Sequence, residues 1–212
     1  MSPSLLAATA RLAQQSGNAQ RAIELEEKAL ELEQPYLPDA INLNSFRQRY
    51  NWLWSQYQSA IESISKDDAD RDSRIEQILT RARSTWDRWA DVDRDNSALP
   101  AMMASLLNTA GQDTESWEYL STVIDRKPRD AKSYHQVGAW FQGIGDIAKS
   151  IRFFEQAPQW DTADPQWIFH YGKALKSAGR KSEANVQFKK IVDGKWAPGL
   201  QSWVNQARSE VQ

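Results

Sequence analysis

AKSYHQVGAWFQGIGDIAKSIRFFEQAPQWDTAD, residues 131–164, is the stretch from which the fold can be read. Its first half places Tyr134, Val137, Gly138 and Phe141 on one face at helical spacing. Gly143-Ile144-Gly145-Asp146 supplies a turn. The second half places Ile147, Ser150, Ile151, Phe154 and Ala157 on one face, and Pro158 is expected to end that helix. Moving the frame forward by 34 residues turns Gly138, Gly145 and Phe154 into Gly172, Gly179 and Phe188. Moving it back by 34 gives Ala104, Gly111 and Leu120. A fixed period with helix–turn–helix content marks a stacked repeat array, because one hairpin alone cannot bury its apolar face.

The stretch resembles the tetratricopeptide repeat family, whose 34-residue pattern runs aromatic, Leu-Gly, Tyr, Ala, Phe, Pro. Tyr134, Val137-Gly138 and Phe141 match the first helix, and Gly145, Ser150, Phe154 and Ala157 match the second. The copy from Pro165 has Tyr171-Gly172, Leu175, Gly179, Ala184 and Phe188. The copy from Ser97 has Met103-Ala104, Leu107, Gly111, Ser116, Leu120 and Pro128. Ser116 and Ser150 depart from Ala, Ile168 from the first aromatic, and Thr162 and Trp196 from Pro. The resemblance implies an all-α, right-handed α-solenoid of helix–turn–helix repeats whose first helices line a peptide-binding concave surface.

Of 212 residues, 41% are hydrophobic and 25% charged, with a net charge of −2, which is a globular composition. The absence of Cys excludes disulfide and thiolate chemistry. No apolar run is long enough to span a membrane. MSPSLLAATARLAQ lacks a basic segment before its apolar patch and reads as a helix start, with Ser2 as cap and Pro3 at the first helical position. A cytoplasmic setting is the expectation.

The whole chain, 1–212, is read as a single domain. Residues 3–36 form a first unit, with Gly17-Asn18 as its turn and Ala10, Ala22 and Ala29 at close-approach places. Glu26 stands where the family has an aromatic. This unit begins with no polar cap, so either a longer array or a covering partner is expected at that end. Residues 37–96 make one elongated hairpin. Its first arm, 39–65, carries Leu43, Phe46, Tyr50, Leu53, Tyr57, Ala60 and Ile64, with the alternating three-four spacing of a coiled-coil seam. The second, 71–92, carries Ile75, Leu79, Ala82, Trp86 and Trp89. An excess of about 13 residues per arm predicts a projection of ~20 Å. Regular units follow at 97–130, 131–164 and 165–198. Residues 199–212 form a C-terminal capping helix that buries Leu200, Trp203, Val204 and Ala207 and turns Arg208, Glu210 and Gln212 outward.

By this register the groove-facing residues are Ala101, Ser105 and Asn108, then Lys132, His135, Ala139 and Gln142, then Phe169, His170, Lys173 and Lys176. Lys132, His135, Phe169, His170, Lys173 and Lys176 make a basic and aromatic surface suited to an acidic or C-terminal peptide. The carboxylate clamp of some family members is not carried over, because Gln136 replaces its Arg although Lys132 fits. His135 and His170 lack the Cys or carboxylate company of a metal site, and no metal or cofactor is expected. Asp91, Asp93 and Asp95 have the spacing of a calcium loop's start, but Asn96 and Met102 replace its Gly and Glu. Among ten tryptophans, Trp86, Trp89, Trp117 and Trp203 fit packing places. Trp52 and Trp54 cannot both lie on the first arm's stripe, and Trp52 is the expected partner contact on the hairpin. Residues 165–212 hold eight Lys/Arg against three Asp/Glu.

The function expected is a protein–protein interaction scaffold or adaptor that captures a peptide or helix, with no enzymatic activity, nucleic-acid binding or membrane span. The alternatives are a repeat fragment of a larger multidomain protein that carries an enzyme elsewhere, and a structural module that self-associates through residues 40–92.

Overall fold

The structure is a computed structural model that describes residues 2–33, 43–90, 93, 96 and 98–211, with backbone alone for 43–45. Among the described residues it is all helical: α1 (Pro3–Gln15), α2 (Ala19–Glu33), α3 (Leu43–Glu62), α4 (Arg71–Trp89), α5 (Ala98–Thr109), α6 (Asp113–Arg126), α7 (Ala131–Gly143), α8 (Ile147–Trp160), α9 (Gln166–Ser177), α10 (Lys181–Asp193) and α11 (Gln201–Glu210). A 3₁₀ turn, Pro198–Leu200, precedes α11. Asp91, Asp95 and Gln212, on which expectations above fall, lie outside the described residues. The chain forms two compact units, 1–118 and 119–212.

Four turns are built alike. Gly17, Gly111, Gly145 and Gly179 have φ of 81°, 79°, 86° and 77°, a left-handed conformation that strains any residue with a Cβ. In each turn the next N–H reaches back five residues: Asn18 to Ala13, Gln112 to Leu107, Asp146 to Phe141 and Arg180 to Leu175, all at 2.9 Å. This is the Schellman closure that satisfies the orphan carbonyls at a helix end. Asn18 and Asp146 then cap the following helices, accepting from Arg21 N–H at 3.1 Å and Lys149 N–H at 3.0 Å.

In unit 1 the long hairpin supplies most of the core. Phe46, Tyr50, Leu53 and Tyr57 of α3 are buried, as are Ile75, Leu79, Ala82, Trp86 and Trp89 of α4. Phe46 lies 4.5 Å from Trp89, and Tyr50 stacks on Trp54 at 4.4 Å, centroid to centroid. The arms are shorter than the sequence suggests: α3 has 20 residues and α4 has 19, against 12 to 15 in α1, α2 and α5. Their excess is therefore ~10 Å rather than ~20 Å. Of the expected arms, residues 63–65 belong to the connecting turn, and 39–42, 91 and 92 lie outside the described residues.

Glu26 occupies the slot that Phe154 and Phe188 fill in later repeats, and it is fully buried. It pairs with Arg49 of α3 at 2.7 Å, and Arg49 also binds Glu33. A buried carboxylate without such a partner would pay a large desolvation penalty. Nearby, Tyr57 donates to Glu27, which receives both arms of the Arg81 guanidinium at 3.0 and 2.7 Å. Burial pushes the Tyr57 phenol above its ordinary range.

Unit 2 contains α7 to α11. Its core gathers Ile151, Phe154, Phe169, Leu175, Phe188, Ile191 and Val204, with Ala131, Ala157 and Trp167 in a smaller cluster. Gly138 and Gly172 lie directly under rings: a Cβ at Gly138 would stand 2.9 Å from Phe154, and one at Gly172 would stand 2.7 Å from Phe188. Three expectations need correction. Pro158 does not end its helix; α8 continues to Trp160. In a last turn Pro removes one N–H bond but has little helix beyond it to disrupt. Trp117 is 41% exposed, because its neighbour Ser116 takes the buried place and donates to the Ala104 carbonyl at 2.7 Å. Glu210 turns inward to a lysine pair rather than outward.

Candidate partner-binding face of the second unit

The face is set by three helices in the same register. A shift of 34 carries His135 of α7 to Phe169 of α9 and to Trp203 of α11, so α11 continues the row of first helices. His135 and His170 meet edge to face with ring centroids 4.4 Å apart. His135 also touches Phe154 at 5.2 Å and Trp167 at 5.4 Å. His170 touches Trp203 at 5.6 Å and lies parallel to Phe154 at 6.4 Å. Both imidazoles are half-buried, and neither has a hydrogen-bond partner among the described residues.

Burial pushes the His135 pKa down to about 4, and the adjacent His170 adds to the effect. Burial lowers His170 as well. At neutral pH each ring is uncharged and offers one N–H donor and one nitrogen acceptor. Aromatic walls around two such groups can hold a side chain that both packs and hydrogen-bonds. Two imidazoles are a small ligand set for a metal, and among the described residues no group of three or more His, Cys, Asp or Glu could hold one.

The remaining sequence-derived residues divide. Lys132 and Ala139 are exposed on α7. Lys173 and Lys176 project from α9, one and two turns beyond His170, and both bind Glu210 of α11, at 3.0 and 2.7 Å. Phe169 is 8% exposed and belongs to the core, packed at 5.4 Å on Trp203 and 5.7 Å on Phe188. Trp52 stands apart in unit 1. It packs against Leu6, Ala10, Leu25 and Ala29, and the Arg11 guanidinium lies 3.5 Å over its ring. Among the described residues, α3 and α4 expose no large apolar side chain. Asp93 is held by Arg47 at 2.6 and 2.7 Å and by Asn96 at 2.9 Å.

Trp203, Trp167 and Glu210 were not among the expected site residues. The 34-residue shift from His135 through Phe169 reaches Trp203, and the same shift takes Lys176 to Glu210, so the period carried the signal. With the repeated glycine turns and the Gly–Phe contacts one period apart, the local architecture is settled. The repeats are tetratricopeptide-like.

No protein-family model matches the chain, and no curated protein matches it. Solved structures are similar to it. A MamA protein is 14% identical, covering 90% of each chain, with a TM-score of 0.44. TTC0263, a thermophilic tetratricopeptide repeat protein of Thermus thermophilus, is 15% identical over 99% of this chain and 98% of its own, with a TM-score of 0.43. The C-terminal part of a tetratricopeptide repeat-containing protein from Cytophaga hutchinsonii is 17% identical over 95% of this chain and 70% of its own, with a TM-score of 0.45. Among the described residues, no helix is long and apolar enough to cross a membrane.

Proposed function

We propose that the protein is an interaction scaffold and that the α7–α9–α11 face of unit 2 captures a segment of a partner protein. The observation that carries this reading is the His135–His170 pair: two neutral imidazoles walled by Phe154, Trp167 and Trp203, with their hydrogen-bonding capacity unspent. Both rings are only half-buried, so their nitrogens stay accessible from the open side of the face to a partner's donors and acceptors. Lys132 on α7 and the lysines of α9 extend the face. Unit 2 holds 14 Lys/Arg against nine Asp/Glu, a net +5, which leaves −7 for unit 1. Capture is an equilibrium in which aromatic packing supplies affinity and the imidazoles supply orientation.

Selection of a displayed random peptide library against the intact chain tests this. The expected result is enriched sequences whose binding is lost in His135→Ala/His170→Ala and kept in Trp52→Ala. Failure to enrich any sequence, or binders indifferent to both histidines, would refute the assignment of this face.

A further inference from the structure

Lys173 and Lys176 converge from one face of α9 on a single carboxylate, that of Glu210. The lysines keep 46% and 35% of their side chains exposed and Glu210 keeps 18%, so solvent, and anything dissolved in it, can approach the ion pairs. Glu210 is the last residue of α11, where the helix dipole presents its negative end and disfavours an acidic side chain. The lysines compensate, and they hold the Glu210 carboxyl below its ordinary range. The rest of α11 docks by other means: Val204 and Ala207 are buried, and Trp203 packs on Phe169. The carboxylate can therefore be exchanged without undocking the helix. His170 sits one turn before Lys173, so a segment lying on the imidazole pair passes the two ammoniums next.

We infer that the Lys173–Lys176 pair is a receptor for a partner's carboxylate and that Glu210 is an internal stand-in that occupies it until an acidic segment displaces it. This rests on the interaction-scaffold reading of the same face and specifies its partner as an acidic peptide. The net +5 of unit 2 favours that partner over a basic or neutral one. Glu210 then acts as a threshold: it lowers affinity for any acidic segment by the strength of the contacts that must first be broken.

Fluorescein-labelled hexaglutamate, hexaserine and hexalysine serve as probes, read by polarisation on the intact chain in low salt. Glu210→Gln is expected to bind hexaglutamate about three- to tenfold more tightly than wild type, the range given by releasing two partly exposed ion pairs. Adding Lys173→Ala and Lys176→Ala to that variant should abolish the gain. Equal affinity of wild type and Glu210→Gln would overturn the inference, as would equal binding of hexaserine or hexalysine. A measurement free of variants guards against loss of folding. The ¹³C resonance of the Glu210 carboxylate should move when wild type is titrated with hexaglutamate, and a stationary resonance under saturating peptide would also overturn it. Library peptides that need His135 and His170 but show no preference for acidic sequence would leave the scaffold reading intact and remove only the receptor.

Discussion

Gly172→Ala tests the packing that gives the repeats their register. The new Cβ would meet Phe188 at 2.7, 3.0 and 3.1 Å from three ring carbons, where ordinary carbon contacts lie near ~3.5–4.0 Å. Phe188 is completely buried, so its ring must retreat by nearly an ångström into Phe169 and the surrounding core. Overpacking of this kind costs about 1–3 kcal/mol. Ala regains about 0.8–1.0 kcal/mol of helix propensity over Gly, which leaves a net loss of about 1 kcal/mol. Gly143→Ala is the matched control: it also lies in a helix, its φ is not in the left-handed region, and nothing stands within 4 Å of the added Cβ. Urea unfolding at pH 7, followed by far-UV circular dichroism, should place Gly172→Ala about 1–3 kcal/mol below Gly143→Ala. In a unit of this size that is a Tm difference on the order of 10 °C. Phe188→Leu added to Gly172→Ala should recover part of the loss through a favourable coupling of about 1 kcal/mol. If Gly172→Ala equals or exceeds the control, the ring yields freely and the close approach does not set the register.

The buried ion pair gives a second prediction: Glu26→Ala should destabilise unit 1 by about 1–3 kcal/mol, less than a wholly unpaired buried charge would cost because Arg49 keeps Glu33, while Glu26→Leu with Arg49→Leu should be milder in the same unfolding assay. The histidines give a pH dependence. His135 has a folded pKa of about 4 against 6.5 unfolded, so the unfolded chain binds more protons between those values and stability falls as pH drops through that window. The full shift corresponds to about 3 kcal/mol, and the ring's partial contact with water reduces this to about 1–2 kcal/mol. His135→Gln should remove that part of the difference between unfolding free energies at pH 7 and pH 4, and an unchanged difference would show that other groups govern it. Trp52→Ala should lower the stability of unit 1 by about 2–4 kcal/mol, because the ring packs on α1 and α2 beneath Arg11, while leaving binding at the unit 2 face unchanged. Loss of peptide binding with unchanged stability would instead support Trp52 as a partner contact.

The period of 34 determined the helical hairpins by itself, because the turn glycines, small residues and aromatics that recur at that spacing are each demanded by local geometry. Gly111, Gly145 and Gly179 are legible because only glycine enters the left-handed turn without strain, and Gly138 and Gly172 because a ring must sit where a Cβ would be. His135 and His170 could be placed on one face from their register alone. What they touch could not, since ring contacts depend on how α7, α9 and α11 pack together. Tertiary structure likewise decided the long-range charge pairs. Lys173 and Lys176 look like free groove cations along the chain, yet a carboxylate 34 residues beyond Lys176 bridges them. Glu26 looks like a defect in the repeat until Arg49 arrives from the next hairpin, and the stacking of Arg11 on Trp52 is invisible along the chain. Backbone conformation and apolar spacing are properties of neighbouring residues, so the sequence displays them. The partner of a long charged or aromatic side chain is chosen only when distant segments are brought within a few ångströms, and for this chain that choice separates a structural residue from one left for a partner.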